Sequence, residues 1–360
     1  MRRVMATLVV LCLAVAFVPA QTTLPARLAD AEFWRLAGDI SEPGGYFRIT
    51  DNYTSNESEV GQMVALLRER SISGGVYLGV GPEQNFTYIS AVKPAMAFIL
   101  DIRRQAAMQH LMFKTMFELS KDRADFISLL FAKPRPAGVD ATTPIQKLWE
   151  TYLGVATDLE LAARTRARVI ERLTKTHGFA IPAEEIELVE SVMSAFVQFG
   201  PGITTRGSFG RGGGGNNLSF ADLTGWSVDA TGRPQSFLAS EEQFHVVKTL
   251  HDRNLIVPVT GDFGGPKALR AIGAYLKERG ATVSAFYVSN VEQYLFQDGK
   301  QRLFFDNVAE LPLTDTSVFI RPYAMRRYGS GPALCGISGF LKAVAGGRIT
   351  SNNEALACGE

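Results

Sequence analysis

Histidine and cysteine are scarce in this chain, with four and three residues among 360. None of them falls in the paired spacings that hold zinc, so neither a zinc ribbon nor a metalloprotease helix is expected. The nearest approach is Glu241 with His245, four apart on one helical face. No second histidine follows at ligand spacing, so the pair reads as a surface contact and no metal is expected. His110, His177 and His251 are scattered and take no role. Net charge is nearly absent as well: 37 Lys and Arg stand against 36 Asp and Glu. That balance gives no basic footprint for nucleic acid or an anionic membrane surface. Ser208 and Ser219 lie in no G-x-S-x-G context, which leaves a serine-hydrolase reading without support.

Long apolar runs are missing after the first twenty residues, so no membrane span is expected in the remainder. The one such run, Val4 to Phe17, follows Arg2 and Arg3 and precedes the small-residue site Val18-Pro19-Ala20. This is the layout of a secretory signal peptide cleaved after Ala20. The run is short for a span of about 20 residues, which disfavours an uncleaved anchor. Leu11 stands before Cys12 where a lipid-attachment site needs a small residue, so an exported periplasmic or secreted protein is expected rather than a lipoprotein. In an oxidising compartment Cys335 and Cys358 then read as a disulfide, with two unrelated thiols as the alternative.

What the chain has in quantity is apolar residues, 46%, enough for a substantial core in one large or two modest domains. Its organisation divides at residues 1–20 (signal), 21–56 (extended segment), 57–120, 121–239, 240–334 and 335–360. Within 57–120 a helix capped by Asn56, with Val60, Met63, Val64 and Leu67 on one face, is followed by the short strand in "GGVYLGVG". Then come a helix in "NFTYISAV", a strand in "PAMAFILD" and a helix in "QAAMQHLMFKTMFELS". Met96, Met108, Met112 and Met116 fit the apolar faces of these elements. From 121 to 239 the pattern is helical and ends in a Gly-rich stretch with Gly212 to Gly215 in a row, read as a lid or a solvated linker. Strands and helices alternate again from Ser240 through "LIVPVTGDF", "ATVSAFYVSN" and "SVFIRP". The expectation is an α/β fold: a Rossmann-like, mostly parallel sheet of at least five strands flanked by helices, with a helical insertion.

Ligands of such sheets bind beyond the carboxyl ends of the strands. The first strand ends in Gly79, Gly81, Pro82 and Glu83, the second in Asp101 followed by Arg103 and Arg104. Later strands end in Asp262 and in Ser289 with Asn290. Asp101 lies 22 positions after Gly79, close to the interval of about 20 at which a carboxylate reaches ribose hydroxyls. The dinucleotide fingerprint nevertheless fails, because its third glycine falls on Gln84 and Glu83 sets a carboxylate where a pyrophosphate needs bare amides. A ligand without phosphates, carrying a cationic amino-acid part, suits Glu83 better.

"YLGVGPE" resembles the first motif of Rossmann-fold S-adenosylmethionine-dependent methyltransferases, with Gly79 and Gly81 on its first two glycines. Tyr77 stands at the acidic position and Glu83 at the last glycine. The resemblance implies a ribose role for Asp101, an adenine-side role for Asp262 and a strand-end role near the methyl donor for Asn290. It assigns no catalytic residue. The phrases "YLGVGPEQNFTYI", "FILDIRR", "FLASEEQF", "LIVPVTGDFGGPKALR" and "YVSNVEQYLF" also resemble an uncharacterised family of exported bacterial proteins, some from spirochaetes, regarded as methyltransferase-like in fold. That likeness spans about residues 42 to 322. Two functional readings follow: a methyltransferase using S-adenosylmethionine, or a binding protein that keeps the fold without the chemistry. A small-molecule ligand at the strand ends is expected in both.

Overall fold

A computed structural model describes residues 23–47, 51–207, 218–321 and 334–358. The signal-peptide reading, Cys12, Ser208 and the glycine run lie outside the described residues. Six strands form one sheet: β1 (Val76–Gly79), β2 (Met96–Asp101), β3 (Ile256–Thr260), β4 (Val283–Tyr287), β5 (Leu313–Ile320) and β6 (Leu334–Gly336). Their order is β3-β2-β1-β4-β5-β6. All neighbours are parallel except β5 and β6. Every residue of β1, β2 and β3 is buried, as expected of parallel strands covered on both faces. The order reverses direction between β1 and β4, which is the switch point at which α/β sheets open a crevice.

Two groups of helices flank the sheet. One comprises α2 (Val60–Glu69), α3 (Gln84–Val92), α4 (Arg104–Leu119) and α10 (Glu241–Asp252); the other comprises α1 (Asp30–Ile40), α11 (Ala268–Glu278), α13 (Gln301–Ala309) and α14 (Ile337–Ala345). Val60, Met63, Val64 and Leu67 of α2 are all buried, and each such side chain contributes roughly 1.5–3 kcal/mol of transfer free energy. The four methionines singled out by spacing are likewise fully buried core. Phe86 on α3 is the centre of an aromatic cluster, meeting His110, Phe113, Phe117, Phe237 and His251 edge-on. The helical insertion, α5 (Arg123–Phe131), α6 (Ile145–Leu153), α7 (Leu159–Glu171), α8 (Ala183–Phe199) and α9 (Phe220–Gly225), packs on the outer side of α4, chiefly through α8.

One local expectation is corrected, and others gain detail. Asn56 does not cap α2; Glu59 holds that position without a side-chain cap bond, because Asn56 is drawn into the cleft described below. Ser219 is itself a cap, forming a reciprocal capping box with Asp222. Glu241 bonds Arg123 at 3.0 Å, while His245 stays half exposed 3.9 Å from it. Elements not anticipated are α1, α13, the antiparallel edge strand β6, α14 and α15 (Asn352–Leu356). Cys335 on β6 and Cys358 after α15 form a disulfide, their Cα atoms 5.6 Å apart. Beside it Arg321 is fully buried, paired through two nitrogens with Glu292 at 2.6 and 2.8 Å and lying over the rings of Phe319 and Phe340. Glu292 lies on α12 (Val291–Gln297), which follows β4. Among the described residues no helix is long and apolar enough to cross a membrane.

Candidate ligand cleft

A cleft of about 200 Å³ opens at the carboxyl ends of β1 to β4. Its floor is built from the turn after β1 (Val80, Gly81, Pro82), the end of β2 (Asp101, Ile102, Arg103), the turn after β3 (Gly261, Asp262, Phe263) and the end of β4 (Tyr287, Ser289, Asn290). Five of the seven residues proposed from sequence therefore meet here: Gly81, Pro82, Asp101, Asp262 and Asn290. Gly79 and Glu83 do not line it.

The two glycines of the first turn answer different demands. A Cβ at Gly79 would stand 1.9 Å from Asn85 Oδ1 and 2.8 Å from Tyr77 Cε1. Asn85 needs that space: its Oδ1 accepts from the Tyr77 hydroxyl, and its Nδ2 donates to the carbonyls of Val80, Gly81 and Pro82 at 2.7–3.1 Å. Gly81, by contrast, has φ +75° and open space beside it, the nearest atom being Asn52 Nδ2 at 3.8 Å. Its carbonyl also lies 2.8 Å from His110 Nε2. Burial lowers the His110 pKa to about 4, so the ring is neutral at pH 7 and Nε2–H is the donor, since a carbonyl can only accept.

Asp101 is engaged by its neighbour. Arg103 donates from its amide and Nε to Oδ1 at 2.9 and 3.0 Å, and from Nη2 to Oδ2 at 2.8 Å. A carboxylate offers about four acceptor positions, so one on Oδ2 remains for a ligand hydroxyl. Asp262 is tied to Lys300 Nζ at 3.1 Å and to the amide of Gly264. The charges of the floor are thus largely paired within the protein.

The roof comes from a strap ahead of β1 in sequence, residues 41–47. Glu42 hydrogen-bonds from its amide to Thr260 O, and Gly45 to Ile102 O, both at 2.8 Å. The Glu42 carboxylate sits at the N-terminus of α11, accepting from the amides of Lys267 and Ala268 at 2.7 Å. A Cβ at Gly265 would fall 2.3 Å from it, which explains the glycine in "GDFGGPK". The strap then delivers Phe47, whose ring meets Tyr294 of α12 edge-on at 4.8 Å and lies 5.9 Å from the Arg103 guanidinium. Phe47 and Tyr294 form an aromatic wall that sequence spacing did not reveal, because the two are nearly 250 positions apart.

Beneath the floor lie two buried carboxyls, Glu57 and Glu83, 3% and 1% exposed. Both Glu83 oxygens accept from the Ser55 amide, at 3.1 and 3.2 Å. Burial raises Glu83 from the ordinary 4.5 to about 8, with the hydrogen bonds from backbone amides opposing and Glu57 adding repulsion. Burial likewise raises Glu57 to about 7, opposed by the hydroxyls of Ser289 and Tyr287. Glu83 therefore keeps negative charge out of the first turn by turning inward onto Ser55.

Fold and cleft define a Rossmann-like α/β protein with a crevice at the sheet's switch point. The chain belongs to the family described as Domain of unknown function (DUF7790), which matches residues 53–151 and 225–335, more than half of its length. The matched segments carry the floor of the cleft and leave out the strap and residues 152–224, which hold α7 and α8. No curated protein matches the chain. The match shows no link to methyltransferases, so the finer resemblance bears only on the reading that follows.

Proposed function

We propose that this protein binds a small adenosyl-type ligand without phosphates, of the S-adenosylmethionine kind, in the cleft at the strand ends. The observation that carries the reading is the state of the two anion seats beside the cleft. A phosphate binds where amides at a helix N-terminus are bare. Here the amides that open α11 are taken by Glu42, and the turn before α3 (Gln84–Val92) presents carbonyls pinned by Asn85 rather than free donors. A dinucleotide would have to displace the protein's own groups. An adenosyl group asks for less: an acceptor for a ribose hydroxyl at Asp101, apolar and aromatic contact with Ile102, Phe263 and Phe47, and a polar strand end at Ser289 and Asn290 for the amino-acid part. Gly79 and Glu83 shape the first turn from outside the cleft in this reading, and Gly81, Pro82, Asp101, Asp262 and Asn290 face the ligand.

Binding alone is the function supported; no side chain is assigned a catalytic role. Methyl transfer remains the alternative, since alignment of an activated methyl group with an acceptor supplies most of such a reaction. Export through the N-terminal segment is part of the proposal, and the disulfide agrees with an oxidising compartment. The test is calorimetric titration of the purified protein with S-adenosylmethionine, S-adenosylhomocysteine and NAD, with Asp101→Ala as control. Micromolar binding of the first two, absent for NAD and lost in the variant, is the expected result. Binding of NAD alone, or of none, overturns it.

A further inference from the structure

At the end of β4 the backbone adopts a conformation that its residue does not favour. Ser289 has φ +46°, and of the six described non-glycine residues with positive φ it alone lines the cleft. Left-handed backbone at such a position persists only where the surroundings hold it, and such positions collect at ligand sites. The holding contact is Ser289 Oγ donating to Glu57 Oε1 at 2.7 Å. Glu57 is anchored in turn, its amide donating to Ser55 Oγ at 3.3 Å, and the Ser55 amide is held by Glu83. Residues 55–57, the turn after β1 and the end of β4 thus form one hydrogen-bonded unit across the switch point. The Tyr287 hydroxyl also acts on the Glu57 carboxyl, so Glu57 meets the end of β4 at two residues.

We infer that Glu57 is a positioning residue of the cleft: it holds Ser289 in the left-handed conformation and so sets how Ser289 and Asn290 meet a ligand. The inference deepens the adenosyl reading and rests on it for the choice of probe. S-adenosylhomocysteine is titrated into wild type, Glu57→Ala, Glu57→Gln and the double variant Glu57→Ala/Ser289→Gly. Amide hydrogen exchange at residues 287–291 is measured on the same proteins without ligand. Glutamine keeps an acceptor for Ser289 Oγ, and glycine takes positive φ without a tether.

Glu57→Ala is expected to weaken binding about tenfold, the size of one lost buried hydrogen bond, and to speed exchange at 287–291. Glu57→Gln is expected to return both toward wild type, and the double variant to return exchange alone, since the Ser289 side chain itself lines the cleft. Exchange at 287–291 as fast in the double variant as in Glu57→Ala, or unaltered binding in Glu57→Ala, overturns the inference. If wild type does not bind the probe, the adenosyl reading fails and exchange decides: faster exchange in Glu57→Ala reversed by Ser289→Gly supports the positioning role, and unchanged exchange overturns it. Should Glu57→Ala not fold, Ser289→Ala removes the same tether from the other side and must show the same faster exchange at 287–291; unchanged exchange in that variant overturns the inference.

Discussion

Replacing Glu83 with glutamine tests the electrostatics of the first turn without altering its shape. The carboxyl is 1% exposed, and burial raises its pKa to about 8. A group whose folded pKa lies above its unfolded value contributes stability that is fully present below the unfolded value, here 4.5, and lost as pH rises through about 8. At about 1.4 kcal/mol per pH unit, the ceiling of that loss is about 5 kcal/mol. Glutamine removes the titration. It keeps an acceptor for the Ser55 amide but gives up the second of the two contacts at 3.1 and 3.2 Å and adds a buried donor, which offsets about 1–3 kcal/mol.

Glu83→Gln is therefore expected to be more stable than wild type at pH 8.5, by about 1–3 kcal/mol. At pH 4.5 the advantage should vanish or reverse. The assay is urea unfolding from pH 4.5 to 8.5, followed by the emission of the chain's three tryptophans, of which Trp149 is fully buried. His110, whose pKa is lowered to about 4, destabilises the native state in the opposite sense, as pH falls from its ordinary 6.5. It does so in both proteins, so it drops out of their difference. A stability difference that does not change over this range, or a variant weaker than wild type at pH 8.5, refutes the reasoning.

Gly79→Ala and Gly81→Ala should separate the two glycines: the first forces Asn85 off the turn and costs about 2–4 kcal/mol, while the second meets only an unfavourable φ and costs about 1–2 kcal/mol. Denaturant midpoints at equal slope measure both. Reducing the Cys335–Cys358 bond, which closes a loop with a sequence separation of 23, should lower stability by about 3 kcal/mol, read as the shift between oxidised and reduced unfolding curves. Glu292→Ala leaves Arg321 buried without its partner and should cost about 3–5 kcal/mol; a loss below 1 kcal/mol in urea unfolding would mean that water reaches the guanidinium.

The alternation of strand and helix was legible because parallel strands buried on both faces leave unbroken apolar runs, and "MAFILD" and "IVPVT" are such runs. Edge strand β6 was not, since three residues next to a helix carry no period of their own. Asp101, Asp262 and Asn290 were legible as cleft residues for a topological reason: in a parallel sheet any polar residue just past a strand points to the same end. The roof and the underside escaped, because Glu42, Phe47 and Glu57 reach their partners across 225, 247 and 232 positions. Nothing local marks a glutamate as the one that will fill a helix N-terminus far along the chain.

The stretch that closes β1 and opens α3 shows where local reading fails in principle. "YLGVGPEQN" looks like one device, with glycines for a ligand and a glutamate in its way. In the folded chain it is three: Gly79 makes room for Asn85, Gly81 supplies the positive φ, and Glu83 turns inward onto Ser55. Of these three only Gly81 lines the cleft. Spacing alone cannot separate these cases, because a glycine demanded by a neighbour's side chain and one demanded by the backbone are the same letter. The residue that distinguishes them is Asn85, four positions after Gly81, whose amide holds three successive carbonyls. A turn pinned in that way presents its cleft face already formed, and such pre-organisation favours tight binding of a small rigid ligand, because little ordering cost is left for the ligand to offset.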